Sequence, residues 1–185
     1  MLEQRLAFAR MMDVFDSTGV AMEQQNFLIG FAQLALVLTG FVSVFVAFQI
    51  DAAAKSRVNT HHATSILMGS LVSLFGALIP IAIYNFGIAG EVLWRWSSAL
   101  LFALSFSYFL IMLNMTVRLT KAEFKEAGYM HMALSYIFGW AGGLALIWNV
   151  YSAAHPGYYI LACILTLVAA LIGFVSFAVQ KILHW

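Results

Sequence analysis

Charge is what this chain lacks most. Charged side chains make up 9% of its 185 residues, against roughly 25% in an average soluble domain. Water therefore cannot be the solvent for most of the surface. The nine basic and eight acidic residues nearly cancel, to a formal net charge of +1. That balance gives no basic stripe for nucleic acid and no acidic tail for a charged partner. Cysteine is nearly absent too. Cys163 stands alone in an apolar run, so no intrachain disulfide and no paired thiolate site can form. Proline occurs only at positions 80 and 156, which leaves long segments free to be continuous helix.

Other absences narrow the chemistry. There is no Gly-rich phosphate loop followed by lysine and no H-E-x-x-H zinc motif. No serine or cysteine nucleophile has a recognisable base near it in sequence. No carboxylate or lysine lies in an apolar run to couple ions or hold a Schiff base. These gaps lead us to expect a non-enzymatic protein without a cofactor.

What is present is hydrophobicity, at 63% of residues. A hydrocarbon core is spanned by about 20 mostly apolar residues. Five stretches reach that length, at 27–49, 64–86, 97–117, 130–151 and 158–179, and none contains Asp, Glu, Lys or Arg. A charge at mid-membrane costs several kcal/mol, so the partition marks spans. The runs do not alternate as barrel strands would. The expected fold is all-α: a polytopic membrane bundle of about five transmembrane helices, forming one unit over 27–185. Residues 1–26 form an N-terminal arm. Within it Phe8, Met11, Met12 and Phe15 share one helical face and Glu3, Arg10, Asp13 and Ser17 another, the pattern of an interfacial amphipathic helix. The first apolar run begins too late and runs too long for a signal h-region. Ala52-Ala53-Ala54 reads as a helix end rather than a cleavage site.

The loops give an orientation. Lys55, Arg57, Arg118, Lys121, Lys125 and Lys181 follow spans one, three and five. The positive-inside rule then places the N-terminus outside and the C-terminus in the cytoplasm, most simply of a plasma or inner membrane. Tyr84, Trp94, Trp96, Trp148, Tyr151, Tyr158 and Tyr159 belt the opposite face. Thr120 and Glu123 have capping-box spacing, which predicts a helical turn in the charged connection after Arg118.

Three sets of residues carry the functional reading. Gly30, Gly40, Gly69, Ser73, Gly76, Gly139, Gly142 and Gly173 lie in small or polar stripes that let helices approach closely. Gln33 falls about 8 Å from the middle of its span at 1.5 Å per residue. It could meet Asn85 and Asn149 in an outer polar cluster, with Asn114 toward the cytoplasm. Such amides are either interhelical glue or the lining of a solute path. Finally, His61, His62 and His131 fall at the cytoplasmic interface, where imidazoles could ligate haem or a metal or simply be interfacial side chains.

Three functions follow. The first is a homo-oligomeric channel-like protein with a neutral polar pore. The second is an accessory subunit of a larger membrane complex. The third is a small haem- or metal-binding protein using the interfacial histidines.

Overall fold

The computed structural model describes residues 24–44 and 57–183. The amphipathic arm up to residue 23, the Ala52-Ala53-Ala54 run and His184 lie outside the described residues. Among the described residues there is helix and no strand. In chain order the elements are α1 (Gln24–Val44), α2 (Arg57–Asn85), α3 (Gly90–Val117), α4 (Lys121–Ala127), α5 (Tyr129–Trp148) and α6 (Pro156–Leu183). A π-helical turn, Asn149–Ala153, ends α5. All but α4 contain a stretch long and apolar enough to cross a membrane. Within such a stretch, lipid offers no hydrogen bonds to the backbone, so each must be helical throughout.

α2, α3, α5 and α6 form a ring in which each packs on the next: α2 on α3, α3 on α5, α5 on α6, α6 on α2. α1 leans on the ring with Leu28, Phe31, Ala32, Ala35 and Val42, a single helical face. At one end Val42 meets Ile66 of α2 and Phe177 of α6. The opposite side of α1 is open, with Val37 64% and Phe41 67% exposed. Large apolar side chains also cover the outside of the ring, among them Leu110, Ile137, Leu144 and Val175. A soluble surface this apolar would aggregate, whereas in hydrocarbon it is the matched face. The chain is therefore a helical membrane protein.

Local sequence sets the turns. Gly87, at φ +80°, ends α2 in the left-handed region, and Gly90, at φ +64°, opens α3. Gly128, at φ +87°, separates α4 from α5. Thr120 and Glu123 form the expected capping box: the Thr120 N–H donates to Glu123 Oε2 at 2.8 Å, and the Glu123 N–H to Thr120 Oγ1 at 3.3 Å. α4 folds back over the end of the ring, burying Ala127 against Val58 and Met132. Arg57, Arg118, Lys121 and Lys125 are exposed at this same end, and Arg57 donates to the Arg118 carbonyl at 3.2 Å. At the far end, the Asn149 side chain donates to Ser98 Oγ at 2.8 Å and accepts from the His155 N–H at 2.7 Å. It thereby fastens the α5–α6 turn to α3.

The glycine stripes divide in two. A Cβ on Gly69 would sit 3.0 Å from that of Ala170, and one on Gly76 3.1 Å from Cys163 Sγ. One on Gly142 would lie 3.4 Å from the Ala162 carbonyl. These three glycines, with buried Gly173 and buried Ser73, mark close approach inside the bundle. Gly30, Gly40 and Gly139 face open space.

Candidate functional site

The polar groups gather at the α4 end of the ring, inside it. α2 begins earlier than the apolar run alone indicated, at Arg57, because the helix surface there is covered by protein rather than lipid. His61 and His62 accordingly lie within α2, only 3% and 0% exposed. They lie within the first turns of α2 rather than ahead of it. Their two imidazoles lie 6.1 Å apart, edge to face. Among the described residues no group of three or more His, Cys, Asp or Glu surrounds them. His131 is in the first turn of α5, and its side chain lies outside the described part.

One hydroxyl joins three helices. Thr116 Oγ1 lies 2.8 Å from the Met112 carbonyl, 2.9 Å from His61 Nε2 and 2.7 Å from the Tyr136 hydroxyl, and so links α3 to α2 and α5. His61 Nδ1 is buried without a hydrogen-bond partner among the described residues. His62 Nε2 donates to the Ala127 carbonyl at 3.2 Å, tying α2 to the end of α4. Tyr108 donates to the Ser65 carbonyl at 3.1 Å, so the Ser65 hydroxyl at 3.3 Å donates to Tyr108 in return.

Above this network the four helices enclose a cavity of about 130 Å³. His61, Ser65, Tyr108, Ser135, Tyr136 and Thr166 line it, each from a helix that the ring turns inward. Its walls are aromatic. Phe109 meets Tyr136 edge-on at 5.9 Å and Trp140 at 5.3 Å. The lining continues outward to Phe106, Gly139, Trp140 and Leu144, which are exposed. The cavity therefore opens sideways, through the seam between α3 and α5, near the middle of both helices. Two lining serines are unusual. Ser73, Ser107 and Thr166 return their protons to the carbonyl four residues back, but Ser105 and Ser135 have no hydrogen-bond partner among the described residues.

The four amides do not gather here. Gln33, Asn85 and Asn114 are exposed, on α1, α2 and α3, and Asn149 is fully buried in its own fastening role. The outer cluster expected of Gln33, Asn85 and Asn149 is not formed within one chain. Its premise, that depth alone brings amides together, ignores rotation about each helix axis. Ser65, Tyr108 and Tyr136 were missed because hydroxyls at helical spacing look the same in sequence whether they face a cavity or a neighbour. Ser135 and Thr166 fall in the same small or polar stripes as Gly139, Gly142 and Gly173, and those stripes do not tell a cavity from a helix contact.

No protein-family model, curated protein or solved structure matches the chain. What fold and site define is a class: a polytopic helical membrane protein with a side-opening internal cavity.

Proposed function

We propose that this protein is a membrane-embedded binding protein that takes a lipid-soluble small molecule from the bilayer through the α3–α5 seam. One observation carries the reading: a cavity with an aromatic wall and a polar floor opens at mid-span, where the surrounding medium is hydrocarbon. Ligand sites are concave, mostly apolar and furnished with a few placed polar groups, and this one has that composition. No water-filled path through the bundle is needed, and no bond-breaking step is assigned to the protein. The basic end, with Arg57, Arg118, Lys121 and Lys125, faces the cytoplasm in this reading.

The test is to extract the full chain with its surrounding lipid and identify small molecules retained by the protein. Gly143 lines the cavity, and a Cβ there would lie 3.9 Å from Phe102. Gly143→Leu should fold and lose the retained molecule. Equal retention by wild type and variant would overturn the proposal.

A second reading, the homo-oligomeric channel-like assembly, is favoured by α1. Gln33 is exposed within the first span, has no hydrogen bond among the described residues, and lies between the open Gly30 and Gly40. An amide facing lipid alone is costly, so a second copy packed on this face would relieve it. The mass of the gently extracted complex decides. An integral multiple of 20.5 kDa that falls apart in Gln33→Leu supports self-association. Fixed stoichiometry with other chains would make the protein an accessory subunit, and a monomer would remove both.

A further inference from the structure

The polar side chains around the cavity are occupied with the protein itself or covered by it. His61 and Tyr136 are both bonded to Thr116, Ser65 and Tyr108 to each other, and Thr166 to the Ala162 carbonyl. His61 Nδ1, Ser105 Oγ and Ser135 Oγ have no hydrogen-bond partner among the described residues and no accessible surface either. A polar group entering the cavity would meet bonds already made, and no charged side chain lines it. The part of a guest that enters is therefore hydrocarbon.

Shape narrows the guest next. The lining runs from Phe102 to Met112 on α3 and from Met132 to Ile147 on α5. At 1.5 Å per residue those stretches are about 15 and 22 Å long. An enclosed volume of about 130 Å³ along that length is a narrow slot parallel to the helices. A chain lying lengthwise fits it, and a broad fused-ring body does not.

The bilayer is itself made of such chains. Lipid tails are as apolar as the walls, so the hydrophobic effect gives the guest no preference over them. Preference has to come from contacts that a saturated chain cannot make, and the aromatic wall supplies them. Phe102, Phe106 and Phe109 form a run of near-parallel rings along α3, with centroids 5.8 and 6.5 Å apart. Tyr136 and Trp140 of α5 stand edge-to-face with Phe109. Ring faces and edges attract other π-systems beyond what area burial gives. Double bonds also stiffen a chain, so less freedom is lost when it is held.

We propose that the cavity holds a hydrocarbon chain with repeated double bonds, lying along the α3–α5 seam. An isoprenoid tail and a polyunsaturated acyl tail share this chemistry. The proposal rests on the binding reading above and names its guest.

The experiment uses the full chain in nanodiscs of dimyristoyl phosphatidylcholine, whose tails are saturated, with empty nanodiscs to subtract partitioning. Two pairs of probes each share one skeleton: farnesene with farnesane, and methyl linolenate with methyl stearate. The first of each pair carries the double bonds. In at least one pair the unsaturated member is expected to be retained about tenfold more, the worth of one or two good ring contacts. Preference in the farnesene pair alone assigns an isoprenoid tail, preference in the linolenate pair alone an acyl tail, and preference in both assigns unsaturation itself. Phe106→Leu and Trp140→Leu, at exposed positions of the mouth, keep the walls apolar and are expected to bring the ratio toward one. An unchanged ratio in both variants would overturn the role given to the aromatic wall. No preference in either pair, or no retention of any probe, would overturn the assignment of the chain. Retained small molecules in the Gly143→Leu comparison then decide the binding reading separately.

Discussion

The hydroxyl of Tyr159 on α6 donates to the carbonyl of Gly76 on α2, and Gly76 stands four residues before Pro80. In a regular helix that carbonyl accepts from the N–H of residue 80, which proline lacks. Tyr159 supplies the missing donor from a neighbouring helix. It is fully buried and packs its ring 5.6 Å from Trp94. Proline in α2 and tyrosine in α6 are thus one structural unit.

Removing that hydroxyl should therefore matter only while Pro80 is present. Tyr159→Phe is expected to destabilise the protein by about 1 kcal/mol, the usual scale for a buried acceptor left unmet. In a Pro80→Ala background, where a backbone N–H returns, the same change should cost clearly less. Reversible unfolding of the four variants in mixed micelles measures the coupling. Strict additivity would show that the two residues act independently.

The two groups of glycines should respond in opposite ways. Gly69→Leu forces a side chain against Ala170, whose Cβ is already 3.0 Å from where a new Cβ would stand. A loss of about 1–3 kcal/mol, typical of overpacking, is expected. Gly139→Ala enters open space and should be neutral or stabilise by up to about 1 kcal/mol through helix propensity. Thermal unfolding of both variants in the same detergent makes the comparison.

Filling the cavity should separate stability from binding. Gly143→Ala adds a methyl in ordinary contact distance of Phe102 and removes a helical glycine. It is expected to raise stability by about 0.5–1 kcal/mol while weakening retention of the bound molecule. A variant that gained stability and kept full retention would place the guest elsewhere.

Acid should release α4. The Thr120 backbone N–H, with help from its side chain and weakly from Arg57, holds the Glu123 carboxyl below its ordinary value of 4.5. A carboxylate whose pKa is lower folded than unfolded stabilises the fold fully above the unfolded value, and that contribution fades as pH falls through the folded one. Amide-exchange protection of Phe124 to Ala127 should therefore be constant near neutrality and drop as the pH falls below the ordinary carboxyl value and through the lowered one. Glu123→Gln keeps the capping geometry and should flatten this dependence. A profile unchanged by that substitution would assign the acid response to another group.

Five helices and their lipid-facing surface could be read directly from sequence, because an apolar run of that length has few other solutions in a chain so poor in charge. The capping box at Thr120 was equally legible, since its two partners are three residues apart and the geometry is local. The close-packed glycines were only half legible. Gly69, Gly76, Gly142 and the open Gly30, Gly40 and Gly139 fall in similar stripes, and the stripe does not say which has a neighbour.

The site itself was decided by tertiary structure. Its floor joins His61 and Ser65 of α2, Tyr108 of α3, Tyr136 of α5 and Thr166 of α6. They are separated by up to 105 residues, and they meet only once the ring closes. The rotation of each helix about its axis sends Gln33 and Asn114 outward and those hydroxyls inward, and that rotation is set by contacts between helices. Composition fixes the solvent a helix can live in. Which of its polar groups face one another is fixed only by the partners it packs against.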